Sequence, residues 1–309
     1  MEGIYEIGLV GRVRWNLHSL NNEGTTGNVT EPRTVVLADG TKTDGVSGEM
    51  LQHIHVERMW QMHGNEVLCD ACKQLQPTRI NRVIAGQKKT KEDVKAVIDF
   101  ALKSCAICDV HGFLVERPAA SRNSTVLFGW AVGIPGLTRR DIHVHARHAP
   151  GKKEREKGEG EEKDEGVETE QMVYNRPTRS GEYAIQALFQ PWRLGLNEVD
   201  YTYAIDGKHR FARYQLALDA LMAMFPRTDG AMTTTRLPHV EAFQGILVIS
   251  RRAFPAPLVS ALREDYEPQV REYVKTIGSG RDPEVVSFDS LPAFARTVSS
   301  LRNENPFEI

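Results

Sequence analysis

Residues 5–17 alternate apolar and polar positions around Val10, Val13, Trp15 and Leu17, the two-residue period of a half-buried strand. The stretch 18–27 gathers Ser, Asn and Gly, which predicts a loop with exposed backbone donors. Ser47 then precedes Met50, Leu51, Ile54, Met59 and Met62 at helical spacing, so a helix over 48–62 with Ser47 as its N-cap is expected. The stripe Val94, Val97, Ile98 and Leu102 predicts a second helix over 91–102, and 125–134 reads as a buried strand. Further strands are expected at 182–189 and 245–250, with helices at 209–225, 257–274 and 291–301. Strands and helices intermingle without an internal repeat, the pattern of a mixed α+β domain spanning residues 1–309.

One segment breaks the pattern. Residues 151–170 hold nine acidic and five basic side chains and a single large apolar residue, Val167, too little to offset the entropy of ordering, so a disordered loop is expected. The formal net charge of −2 includes a balance of −4 from that segment, which leaves the remaining chain at about +2 and mildly basic. The chain's 40% hydrophobic content suffices for a sizeable core. No run approaches the roughly 18 apolar residues of a membrane span. The first ten residues carry Glu2 and Glu6 rather than a basic, apolar leader. A soluble, cytoplasmic protein is the expectation.

The sharpest chemical signal is Cys69-Asp-Ala-Cys72 and Cys105-Ala-Ile-Cys108, two CxxC knuckles separated by 32 residues that use all four cysteines. Four thiolates satisfy tetrahedral Zn²⁺ with no open position, so the spacing predicts a structural zinc site, with residues 64–108 as a metal-stapled insertion. Four reduced thiols, or a redox pair, are the alternatives. The pairs His53/His55 and His143/His145, with His148, lack an acidic co-ligand and read as surface or RNA-stacking groups. Arg12 and Arg14 are two apart and share a face of the first strand, where two guanidinium groups suit phosphate or base contacts, or simply a solvated face. Phosphate-loop glycine motifs, nucleophile elbows and HExxH are all absent from the sequence. An enzyme reading would rest on isolated carboxylates such as Glu23, Asp39 and Asp44.

Three ordered motifs carry a family resemblance: Gly11-Arg-Val-Arg-Trp-Asn-Leu-His-Ser-Leu-Asn-Asn-Glu-Gly24, Gly48-Glu-Met-Leu-Gln-His-Ile-His55 and Asp109-Val-His-Gly-Phe-Leu114. The stretches Gln171-Met-Val-Tyr-Asn-Arg176 and 230–238 extend the match over about 4–252. The chain resembles the DevR-type autoregulators, the backbone subunits of type I CRISPR Cascade complexes. The resemblance implies a modified RNA-recognition-motif (ferredoxin-like) core with inserted finger and thumb subdomains, the thumb near 171–182. It also implies no nuclease activity. Copies would stack head to tail on a CRISPR guide RNA, beside other Cascade subunits, while the guide pairs with target DNA.

By motif, the resemblance assigns RNA contacts to Arg12, Arg14, His18, Asn21 and Asn22, to the helix start at Ser47 and Gly48 with His53 one turn on, and to Arg176, Arg179 and Arg236. Met172 would wedge beside a displaced base. A subunit that accepts any guide must grip phosphate and ribose rather than base edges, which agrees with this choice of side chains. Two other readings stay open: a guide-dependent endoribonuclease of the type III backbone kind, using Glu23, Asp39 or Asp44, and a zinc-containing DNA-binding regulator.

Overall fold

The computed structural model describes residues 3–85, 93–150, 169–228, 233–278 and 282–309. In chain order, β1 (Glu6–His18) leads to β2 (Asn22–Thr26), β3 (Val29–Pro32), β4 (Thr34–Val36) and β5 (Lys42–Val46), then to helix α1 (Gly48–Met62). Four helices follow: α2 (Asp70–Lys73), α3 (Ile80–Ala85), α4 (Val94–Ser104) and α5 (Ala106–His111). After them come β6 (Phe113–Val115), β7 (Ala120–Arg122), β8 (Val126–Phe128) and two long strands, β9 (Ala131–Pro150) and β10 (Thr169–Phe189). The chain closes with β11 (Leu196–Asn197), β12 (Thr202–Tyr203), α6 (Gly207–Met224), β13 (His239–Ser250), α7 (Tyr266–Ile277), β14 (Glu284–Phe288) and α8 (Leu291–Leu301). Among the described residues, no helix is long and apolar enough to cross a membrane.

The period-2 pattern of β1 determines the layers. Its odd residues Ile7, Leu9, Val13 and Trp15 enter the main core with Leu51 and Ile54 of α1 and Leu218 and Leu221 of α6. Its Val10 enters a second core on the opposite face, with Ala184, Ile246 and Val248. β1 pairs antiparallel with both β10 and β13, and β10 pairs antiparallel with β9. Taking β1, α1, β9, β10, α6 and β13 as the βαββαβ unit, the order β13-β1-β10-β9 is the ferredoxin-like arrangement, and the fold is α+β. Everything else is an insertion or a flank.

The second sheet face is not open. Ala256, Ala261, Tyr266 and Val270, from the segment after β13 and from α7, cover the patch around Val10. An RNA-recognition sheet that stacks bases on this face needs it bare, so any RNA contact is displaced to the rims and insertions.

Several elements depart from expectation. The helix expected over 257–274 begins only at Tyr266, because Pro255 and Pro257 supply no backbone N–H and the apolar residues before Tyr266 lie on the sheet as irregular chain. The loop expected over 18–27 contains β2, which pairs with β3 around Gly27 at φ +62°. The strand expected over 182–189 is the inner part of β10, paired there with β1, and the outer part runs against β9 as an arm from Thr178 opposite Asp141 to Thr169 opposite Pro150. The segment expected to form a thumb, 171–182, lies wholly within β10. Of the charged 151–170 segment, only Thr169 and Glu170 fall within the described residues.

Candidate nucleic-acid interface and cysteine centre

Five residues predicted from sequence converge where β1, β5, α1 and β10 meet. Ser47 caps α1, its Oγ accepting from Met50 N at 3.3 Å, while its own N–H donates to Asn21 Oδ1 at 2.7 Å. Asn21 adopts φ +55°, a left-handed geometry that Asn tolerates better than most residues. Asn22 donates to the Ser19 carbonyl at 3.3 Å. Arg179, 1% exposed, donates to the carbonyls of Gly45 and Asn21. His18 is fully buried, with Nε2 2.9 Å from the Tyr183 hydroxyl and Nδ1 accepting from Leu20 N. Burial, with the Arg179 charge, pushes its imidazole well below the usual range and keeps it neutral.

This network corrects three expected contacts: Ser47, 2% exposed, spends its N–H on Asn21 and its Oγ on the helix cap. His18 and Arg179 build the turn that presents α1 and cannot themselves reach a ligand. Gly48 is set by space: a Cβ there would stand 2.3 Å from the Phe128 carbonyl oxygen, so the helix start fits against β8 only as glycine.

Arg12 and Arg14 do share a sheet face, but acidic partners and carbonyls engage them. Arg12, with a 14%-exposed side chain, donates to the Ala261 carbonyl at 2.8 Å and the Arg263 carbonyl at 3.3 Å and meets Glu182 at 3.4 Å. It fastens the covering segment to the sheet, so an RNA contact is corrected to a structural clamp. Arg14 is half exposed between Glu182 and Glu241. His53 is exposed on α1 and lines a cleft of about 290 Å³ shared with Cys72, Arg79 and Ile107.

The arm has two different faces. Ile142, Val144 and Val173 are exposed on one. On the other, His143 stands opposite Arg176 and donates or accepts with the Thr178 hydroxyl at 2.8 Å. The register sets Met172 opposite Arg147; the Met172 side chain lies outside the described part of the structure. Arg236 is buried against the arm, 3.3 Å from His145 Nε2, rather than projecting from it.

The carboxylates considered for catalysis are each engaged. Glu23 pairs with Arg33 at 3.1 Å, Asp44 is buried against Arg140, and Asp39 accepts the Thr41 N–H in an exposed turn. Ion pairs and turn bonds hold them as acceptors rather than poised bases.

The four cysteines meet. All four sulfurs lie within 4.8 Å of one another in a buried cluster, with Cys69 and Cys72 at 3.9 and 3.7 Å from Cys108. Tetrahedral thiolate ligation at about 2.3 Å spaces sulfurs about 3.8 Å apart, so the donor set fits a metal ion. Hydrogen bonds among the thiols, Cys105 foremost, pull the Cys69 sulfur strongly toward thiolate. Similar bonds, again from Cys105 first, push Cys108 the other way.

Two buried networks that sequence reasoning missed start on the same short helix, α5. Asp109, fully buried, accepts from Arg122 at 2.7 Å, Arg213 at 2.9 Å and Gly195 N at 3.0 Å. His111 Nε2 and His55 Nδ1 are 2.8 Å apart, and His55 Nε2 donates to the Ala217 carbonyl at 3.0 Å. That carbonyl makes His55 Nδ1 the acceptor and His111 Nε2 the donor, leaving His111 Nδ1 to accept from Gln52. Both rings are neutral; burial is the main cause, and it lowers His55 to about 4. His55 is therefore corrected from a surface group to a core one.

The ferredoxin-like core is the arrangement of RNA-recognition motifs, here with a strand arm and a cysteine-bearing helical insertion. The family described as CRISPR-associated negative auto-regulator DevR/Csa2 matches residues 9–271, and the chain belongs to it. It is 26% identical over 314 residues to the CRISPR-associated protein Cas7/Cst2/DevR of Methanocaldococcus jannaschii, covering 94% of this chain and 95% of that protein. A chain of a CRISPR RNA-guided surveillance complex, pre-nicking, shares the fold with a TM-score of 0.51 and 12% identity, covering 96% of this chain and 99% of that one. A chain of another CRISPR RNA-guided surveillance complex aligns at a TM-score of 0.42 and 12% identity, over 96% and 98% of the two chains.

Proposed function

We propose that this chain holds single-stranded CRISPR guide RNA without cutting it, as a repeated backbone subunit of a Cascade surveillance complex whose guide pairs with target DNA. The observation that carries this reading is the family match over residues 9–271, joined to a fold in which one sheet face is covered while the β2–β3 hairpin and residues 139–144 of the arm are exposed. The grip on the guide is sequence-independent, through the backbone of the first turn of α1 at Gly48 and Glu49, Asn22, Arg14, His53 and the Arg176 side of the arm, with Met172 beside a displaced base. Neighbouring copies join through a heterologous interface that does not close, so affinity grows with the number of copies on one strand.

In this reading the four thiolates hold one structural Zn²⁺, which fastens the 64–108 insertion to the core and takes no part in chemistry. The engaged state of Glu23, Asp39 and Asp44 supports binding without hydrolysis.

The test is a gel-shift series with single-stranded RNAs of unrelated sequence, each followed by a denaturing gel. Similar affinities that weaken with salt, and RNA recovered intact, are expected. Cleavage abolished by Asp44→Ala would instead establish the nuclease reading. Strong preference for one DNA duplex would establish the regulator reading.

A further inference from the structure

Trp130 is unusual among the four tryptophans. Trp15 is fully buried, Trp60 donates its indole N–H to the Lys73 carbonyl at 2.9 Å, and Trp192 stacks on Tyr5 at 5.5 Å. Trp130 keeps 41% exposure in the turn between β8 and β9. Its ring lies against Gly45, where a Cβ would come within 3.1 Å of Cε3, so the absence of a side chain there makes room for the indole. The ring opens onto a cleft of about 450 Å³ walled by Val35, Val36 and Ser260, floored by Ala184, with the exposed Gln186 at its lip.

The geometry points to this cleft as a nucleobase-stacking site for the RNA, an inference that rests on the reading above. An indole offers a flat π-surface to any base, and stacking of this kind tolerates sequence. The Gln186 carboxamide offers a donor and an acceptor to a base edge. The Arg33 guanidinium lies over the indole ring at 5.7 Å from its centroid, so a base stacks beside it or on the opposite face, and Arg140 bonds Thr34 on the adjoining strand. Each arginine also has a carboxylate partner, Glu23 or Asp44. The local field is therefore weak, and stacking rather than charge supplies the contact. A pocket of this volume takes a base with part of its ribose.

Trp130→Ala, Trp130→Phe and the unsubstituted chain are compared for affinity to a short single-stranded RNA, for quenching of tryptophan fluorescence by that RNA, and for thermal melting. Trp130→Ala is expected to weaken binding about 5- to 100-fold; because more than half of the residue is covered, the melt checks that the variant is folded at the assay temperature, with Trp130→Phe as the packing control. Trp130→Phe retains most of the affinity and loses the quenching. If the unsubstituted chain binds no RNA, the proposed function falls and the inference with it. If it binds and Trp130→Ala binds equally well, the inference alone falls. Loss of self-assembly in Trp130→Ala with single-copy RNA affinity intact would make the cleft a protein contact and overturn it.

Discussion

Replacing Asp109 by Asn keeps the shape of the side chain and removes its charge, at a point where the fold has no slack. Arg122 and Arg213 are each only 2% exposed in their side chains, and the carboxylate between them is at 0%. Arg122 also donates to the carbonyls of Leu196 and Arg193, and Arg213 to the Leu102 carbonyl, so neither guanidinium can swing to water without breaking further bonds. Breaking a buried ion pair from one side costs about 3–5 kcal/mol, since the remaining charges stay desolvated. A chain of this length melts with an entropy near 0.65 kcal/mol per kelvin by the usual per-residue value. The predicted fall in melting temperature is then about 5–8 °C. Circular dichroism melts of Asp109→Asn beside Glu241→Gln, whose pair with Arg14 is exposed and contributes little, provide the assay. If both variants melt within a degree of the parent, the reading of Asp109 as a buried charge that holds Arg122 and Arg213 is wrong.

Three further outcomes are expected. His18, His55 and His111 are neutral in the fold with lowered affinity for protons, so stability is fully present above the unfolded value of about 6.5 and declines as pH falls toward about 4; for His55 alone this is about 3 kcal/mol. A melting temperature constant from pH 7 to pH 4.5 would contradict it. Cys108→Ser should lower bound metal, read by elemental analysis, from about one ion per chain to well below one and destabilise the fold; undiminished metal content would argue against a four-thiolate site. Gly48→Ala should cost about 1–3 kcal/mol in urea unfolding, because its methyl collides with the Phe128 carbonyl, and an unchanged midpoint would show that α1 can shift away from β8.

What the sequence made legible was governed by local chemistry. Helix α1 was readable to its ends because Ser47 is a true cap, and α8 because its apolar stripe starts cleanly after Ser290. The cysteine cluster was readable because spacing alone constrains ligand geometry. The outer arm was not: residues 169–181 include Pro177 and mix polar and apolar positions without a two-residue period, so nothing in the sequence marks them as strand. The site suffered a related ambiguity. Polar residues in a motif look alike whether they meet a ligand or each other, and only the fold shows that His18 and Arg179 are consumed internally while Asn21 and Ser47 lock one turn to a helix start. Trp130, preceded by Gly129 at the end of a β-prone run, was the one available pointer to the cleft and was absorbed into a buried strand.

The central claim is that copies of this chain load onto guide RNA without sequence preference. Native mass spectrometry of the purified protein with single-stranded RNAs of increasing length tests it most directly. The account predicts stepwise addition of copies as the RNA lengthens, whatever its sequence, with the RNA mass unchanged. One protein per strand at every length, or a shortened RNA, would contradict it.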